Sequence, residues 1–205
     1  MPARLAAVSI SRRELVEGGV ALGVALLATP VRGAGATPLE LTPENELGPF
    51  YKRGAPALTN LVVPGEAGLP LAVSGKVLDA TGQPLSGAVI EVWHADGHGV
   101  YDLAGYRYRA RVTAGPDGTY RFQTLMPGHY PQRVAQHIHY RVTAPGRKVL
   151  VTQLYFATDP AFAGDPDHNY VKDPVLEDRR LIRPVTLGEA GGPQAAVVFD
   201  TVLGT

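Results

Sequence analysis

Gly128-His129-Tyr130-Pro131 is followed, after five residues, by His137-Ile138-His139-Tyr140-Arg141-Val142-Thr143. A strand turns successive side chains to opposite faces, so His137 and His139 point one way, Ile138 and Tyr140 the other. The continuing extended pattern through Thr143 makes this a strand rather than a helix. Two imidazoles on one face, with a phenol just upstream in a proline-bounded turn, form a donor set suited to a transition metal. Alone, a His-x-His pair reads equally well as two hydrogen-bonded strand histidines, so the rest of the chain decides.

Working outward, Ala144-Pro145-Gly146-Arg147 turns the chain into residues 149–156, apolar enough for a central strand. Upstream, residues 119–124 alternate, with Tyr120 and Phe122 on one face and packed in the core. Residues 88–93 and 71–78 are further strands, the latter ending in the turn-rich Asp79-Ala80-Thr81-Gly82-Gln83-Pro84. Residues 107–113 add a short strand, and 181–187 and 195–203 are extended. Residues 159–174, with four aspartates and three prolines, read as a long surface loop. No sustained 3.6-residue apolar period and no internal repeat occurs beyond residue 36. The expected fold is all-β: an antiparallel β-sandwich of seven to eight strands whose long loops carry the metal site.

The chain has 205 residues, 45% of them apolar, with 19 basic and 19 acidic side chains. That balance, without a basic block, gives nucleic acid no electrostatic footprint to recognise. Cysteine is absent, which excludes disulfides and thiolate metal sites and leaves His, Tyr, Asp and Glu as ligands.

Residues 1–36 read as an export signal: Arg12-Arg13 precedes a short Gly/Ala/Val/Leu run that ends near Ala34-Gly35-Ala36. The arginine pair is of twin-arginine type, the address for folded cargo, and predicts a periplasmic or secreted protein. The run is too short and glycine-rich for a stable membrane span, and no stable membrane insertion is expected once the signal is removed. Four arginines and two glutamates leave with it, so the remainder is mildly acidic. Residues 37–70 form an amino-terminal arm, since Pro43, Pro49, Pro56, Pro64 and Pro70 forbid a long helix or central strand. Within it, Gly48-Pro49-Phe50-Tyr51 is an aromatic turn covering the domain, which spans 71–205.

Three blocks in order carry a resemblance. They are Gly82-x-Pro84-Leu85-x-Gly87-Ala88 leading to Glu91-Val92-Trp93-x-Ala95-Asp96-x-x-Gly99-x-Tyr101; Asp117-Gly118-x-Tyr120-x-Phe122-x-Thr124-x-x-Pro127-Gly128-x-Tyr130-Pro131; and His137-Ile138-His139. Together, over about residues 42–156, the sequence resembles the intradiol ring-cleavage dioxygenases, the catechol 1,2- and protocatechuate 3,4-dioxygenase-like enzymes. The resemblance implies Fe(III) held by Tyr101, Tyr130, His137 and His139. Phenolate is a hard anionic oxygen donor that favours ferric iron, so the residue types suit the ion. It further implies an aromatic diol and O2 as substrates, with cleavage between the hydroxylated carbons. Tyr101 is the phenol expected to leave the metal and take up a proton. The Trp-x-Ala-x-x-x-Gly-x-Tyr register selects Tyr101 over Tyr106 and Tyr108.

Gln153 matches a family position near the substrate, although a strand glutamine satisfied by backbone is an equal reading. Many members carry an arginine three residues before the first histidine. Here Val134 holds that place and Arg133 lies one residue earlier, where a regular strand would turn it to the other face and only a turn or bulge would return it. His94, His98 and His129 match no ligand position and read as surface or supporting groups. The interval from Tyr130 to His137 is short for the catechol-cleaving members, which predicts an open pocket. Two other readings compete: a non-catalytic transthyretin-like binding module, suggested by residues 75–92, and a zinc hydrolase or metal binder using the same histidines. Zinc sites rarely recruit tyrosine. Exposed sheet faces leave homo-oligomerisation open.

Overall fold

A computed structural model describes residues 37–163, 169–188 and 195–205. The export signal expected over residues 1–36 lies outside them. The described residues contain ten strands: β1 (Pro70–Asp79), β2 (Val89–Trp93), β3 (Arg109–Thr113), β4 (Thr119–Leu125), β5 (His137–Thr143), β6 (Leu150–Phe156), β7 (Ile182–Arg183), β8 (Val185–Leu187), β9 (Ala195–Val198) and β10 (Thr201–Leu203). They build two five-stranded sheets. In the first, β1 pairs antiparallel with β4 on one side and parallel with β9 and β10 on the other, and β8 pairs with β9. The second runs β3-β2-β5-β6-β7.

The β-sandwich is present, but both sheets are mixed rather than purely antiparallel. The reason lies in the carboxyl-terminal residues. The extended run expected over 195–203 breaks at Phe199-Asp200, where Phe199 N donates to Ser74 O at 2.8 Å and the Asp200 carboxylate takes Lys76 N at 2.7 Å. The run therefore serves β1 twice, as β9 and then β10. In the second sheet the two-residue β7 lies parallel on β6.

The inner faces meet in one core. β1 contributes Leu71, Val73 and Val77; β4 Tyr120 and Phe122; β2 Ile90 and Val92; β5 Ile138, Tyr140 and Val142; β6 Leu150 and Leu154. Tyr140 sits at its centre, with the Phe199 ring 5.1 Å and the Tyr120 ring 6.3 Å away. As expected, Tyr120 packs there with Phe122, and its hydroxyl donates to Phe199 O at 2.5 Å.

The period-two rule then fixes what faces outward on the second sheet. Trp93 pairs with His139, His139 with Gln153, and His137 with Tyr155, so these side chains share the face away from the core. The arm roofs that face. Along the β6 edge Asn45 N donates to Val151 O at 2.9 Å and Thr152 Oγ1, from the opposite face, to Pro43 O at 2.7 Å; on the outward face Gln153 Nε2 donates to Glu46 O at 2.9 Å. In the segment read as a long surface loop over 159–174, both described ends are anchored: Asp159, Phe162 and Asp173 are each buried.

Candidate metal centre

His137 and His139 are placed by β5. Tyr101 comes from the loop after β2, and Tyr130 from the loop after β4. Backbone contact brings those loops together. Gly128 N donates to Asp96 O at 2.8 Å, and a side chain at Gly99 would stand 1.9 Å from the His129 carbonyl oxygen. Gly99 also has φ of +79°, where an L side chain is strained. Gly99→Ala is expected to push the loops apart at a cost of about 1–3 kcal/mol. A urea-unfolding midpoint equal to the parent's would contradict this.

The four expected ligands converge. The hydroxyls of Tyr101 and Tyr130 each lie 3.5 Å from His137 Nε2. The two phenol rings meet edge to face at 5.7 Å, and the two imidazoles at 4.9 Å. His137 Nδ1–H donates to Ala135 O at 2.8 Å, which fixes the tautomer and turns the Nε2 lone pair toward both phenols. Neither ring nitrogen of His139 has a hydrogen-bond partner, although the residue is buried. Trp93 stacks on the His139 imidazole at 4.9 Å and 5°. Across the ring, a side chain on Gly48 would come within 3.1 Å of Cε1. Phe50 stacks on Tyr101 at 4.1 Å and Tyr51 packs on Trp93 at 5.0 Å, so the aromatic turn of the arm is the roof of the cluster.

Electrostatics match this packing. Burial drives His137 down to about 3, helped by the Arg133 charge, and drives His139 well below the ordinary imidazole range. Both are neutral and hold free lone pairs at physiological pH. Burial, then the neighbouring Tyr130, pushes the Tyr101 phenol far above its usual range; burial also raises Tyr130, against the pull of Arg133. Neither phenol ionises without a cation between them. Among the described residues no three His, Asp or Glu side chains cluster around a metal position. A metal on this face therefore needs the tyrosine oxygens, and the set of two phenols and two neutral imidazoles suits a hard trivalent ion. It does not suit the zinc hydrolase reading, whose sites usually add a carboxylate.

Arg133 reaches the same face because the chain turns: its N–H donates to Tyr130 O at 2.9 Å, and the two residues form an isolated bridge. The buried guanidinium bonds Asp173 at 3.0 Å, Gln153 Oε1 at 2.8 Å and the Tyr155 hydroxyl. Gln153 is thus engaged on both sides, by Arg133 and by Glu46 O of the arm. His98 and His129 are exposed. His94 is not a surface group: it is buried, donates from Nδ1 to Ala95 O at 2.7 Å, and takes the Thr124 hydroxyl on Nε2 at 2.7 Å.

Sequence reasoning missed Asp159, Asp173, Tyr155 and Arg109. Arg109 is buried and donates to Phe50 O at 2.6 Å and Asp102 O at 3.0 Å, joining the arm to the Tyr101 loop. Its neighbour Tyr108 has φ of +54°, which carries Arg109 inward. A cavity of about 730 Å³ near Lys76, Arg121 and Asp200 involves none of these groups.

Residues 47–205 match the protein family described as Dioxygenase. Hydroxyquinol 1,2-dioxygenase of Nocardioides simplex is 34% identical over 191 residues, covering 80% of this chain and 65% of that protein. Chlorocatechol 1,2-dioxygenase of Rhodococcus opacus is 36% identical over 148 residues, covering 58% of this chain and 57% of that protein. The chain thus spans less than two thirds of the length of these curated relatives. Among solved structures, the dioxygenase domain of a dioxygenase–carbohydrate-binding protein fusion from Streptomyces sp. SirexAA-E superposes with a TM-score of 0.70 at 37% identity, covering 81% of this chain and 99% of that one.

Proposed function

Because this chain belongs to the intradiol ring-cleavage dioxygenase family, we propose that it cleaves a catechol-type aromatic ring between its two hydroxylated carbons, using O2. We assign Fe(III) as the cofactor, with Tyr101, Tyr130, His137 and His139 as the residues that hold it. The observation that carries this is the meeting of two phenol oxygens 3.5 Å from one imidazole lone pair, beside a second imidazole with both nitrogens unpartnered. A transthyretin-like binding module accounts for the sandwich but not for that buried, unmet polarity.

When bound, a ferric ion supplies Lewis acidity toward the diol and an acceptor for its electron density. The rest falls to the protein. His137 and His139 offer neutral lone pairs, each oriented by its surroundings: Ala135 O for one, the Trp93 stack for the other. The proton-accepting phenol, expected at Tyr101, we assign to Tyr130. Tyr101 is 7% exposed and stacked on Phe50, whereas Tyr130 is only partly buried and stands on the turn that it forms with Arg133. Arg133 brings a fixed positive charge to this face, where it steadies negative charge that develops on the bound diol. Gln153 acts through Arg133, since its oxygen holds the guanidinium. The signal-like residues 1–36 add the proposal that the protein works in the periplasm or outside the cell.

The test is reconstitution with Fe(III). The loaded protein should turn burgundy through phenolate-to-iron charge transfer, and an oxygen electrode should register uptake with one or more of a panel of diols. Tyr130→Phe should shift and weaken the visible band and lower turnover at least a hundredfold. A colourless loaded protein, or colour without oxygen uptake on any diol, would overturn the assignment.

A further inference from the structure

Two buried carboxylates outside the donor set converge on the loop that carries Tyr130. The Asp159 side chain is fully buried. It accepts Gln136 N at 2.6 Å, the residue directly before His137, and His129 Nε2–H at 3.1 Å, the residue directly before Tyr130. It also caps the following turn by accepting Ala161 N at 2.8 Å. One carboxylate therefore ties together the two chain positions that precede two of the four donors. Gln136 Nε2 closes the base of the same loop on Pro127 O at 2.7 Å. The Asp173 side chain, equally buried, grips the middle of the loop: it bonds Arg133 Nε at 3.0 and 3.1 Å and accepts Ala135 N at 3.2 Å.

The loop needs such outside support. Between Tyr130 and β5 its described backbone–backbone bonds are limited to the single Tyr130–Arg133 turn. Six residues with one internal turn do not fix the separation of their ends. Groups that hold donors in place from behind are the usual determinants of how tightly a metal is kept.

We propose that Asp159 and Asp173 are positioning residues with separate tasks. Asp159 sets the spacing of Tyr130 and His137, and so governs retention of the metal. Asp173 orients Arg133, and so governs turnover at a given metal content. The inference rests on the ferric reading given above.

The experiment uses the ferric-loaded full chain and the variants Asp159→Asn, Asp173→Asn and His129→Ala. Circular dichroism checks folding, a ferric chelator reads the rate of iron loss, the visible band reports donor placement, and turnover is expressed per bound iron. Asp159→Asn should lose iron roughly ten- to hundredfold faster and move the visible band. His129→Ala removes the His129 contact to Asp159 from a side chain that is 44% exposed, so it keeps the fold and changes both readouts the same way by a smaller factor. It decides the matter if Asp159→Asn does not fold. Asp173→Asn should keep iron within about threefold of the parent while turnover per iron falls about tenfold or more. A folded Asp159→Asn that loses iron at the parental rate with an unmoved band overturns the inference and leaves the ferric reading standing. So does an Asp173→Asn variant that turns over at the parental rate per iron. A parent protein that takes up no iron sinks both.

Discussion

His139→Leu is expected to give a protein that holds no ferric ion, has no visible band and turns over no diol, yet whose metal-free form melts no lower than the metal-free parent. The two halves have one cause. Neither buried nitrogen of His139 makes a well-formed hydrogen bond, the Glu46 backbone being the nearest candidate, so in the absence of a metal the imidazole contributes polarity that is poorly satisfied. An unmet buried polar group costs about 1–3 kcal/mol, and removing it should raise the midpoint by about 2–4 °C per kcal/mol in a chain of this size. Leucine is close enough in volume to fit between Trp93 and Gly48. The neighbouring His137→Leu should behave differently, because it abandons the Ala135 carbonyl that His137 now satisfies at 2.8 Å. It should lose the metal and melt lower as well. Calorimetry on the three metal-free proteins separates the cases. If His139→Leu melts several degrees below the parent, His139 supports the fold in its own right.

The metal-free protein should also lose several kcal/mol of stability between pH 6.5 and about 3. Three histidines are held neutral in the fold: burial lowers His94 to about 4 and His137 to about 3, and takes His139 well below its ordinary value. In the unfolded chain each gains a proton near pH 6.5. Above that pH neither state binds the proton and stability does not depend on these groups. Below it the unfolded state binds more protons, so stability falls as pH falls, and levels off only under the folded-state values. His94 alone accounts for about 3 kcal/mol over its full window, at roughly 1.4 kcal/mol per pH unit. Asp79, Asp102 and Asp117, held below their ordinary values chiefly by hydrogen bonds to their carboxylates, extend the loss in the same direction at the acid end. Urea midpoints at pH 7.5 and pH 5 give the comparison. Equal midpoints would mean that water or rearrangement reaches these rings in the native state.

The four residues proposed as donors were named from the sequence on two grounds, local pattern for the histidines and the family resemblance for the tyrosines. Period two in a β-rich strand puts the histidine pair on one face, while Tyr130 and Tyr101 were singled out by the resemblance, Tyr101 through the Trp-x-Ala-x-x-x-Gly-x-Tyr register. The arm was legible for a similar reason, since five prolines leave it no other structure. Asp159 and Asp173 carry no such mark. Four aspartates among prolines look solvated, and only tertiary partners, the Gln136 amide and the Arg133 guanidinium, draw two of them inside. Arg133 was undecidable for the matching reason: one residue of register separates the two faces of a strand, and the turn at Tyr130 that resolves it is a through-space bridge. The parallel pairing of β9 and β10 with β1 was hidden as well, because a short apolar run says nothing about the direction of the neighbour it finds.

Strand β5 does two jobs with alternate residues: Ile138, Tyr140 and Val142 close the sandwich, while His137 and His139 face the roof. A slip by one position would put imidazoles into the oily interior and isoleucine under the arm, ruining both halves together. Chemistry and folding are thus locked to one alignment. Any molecule whose two histidines reach the tyrosines has, by that fact alone, passed inspection for correct strand pairing.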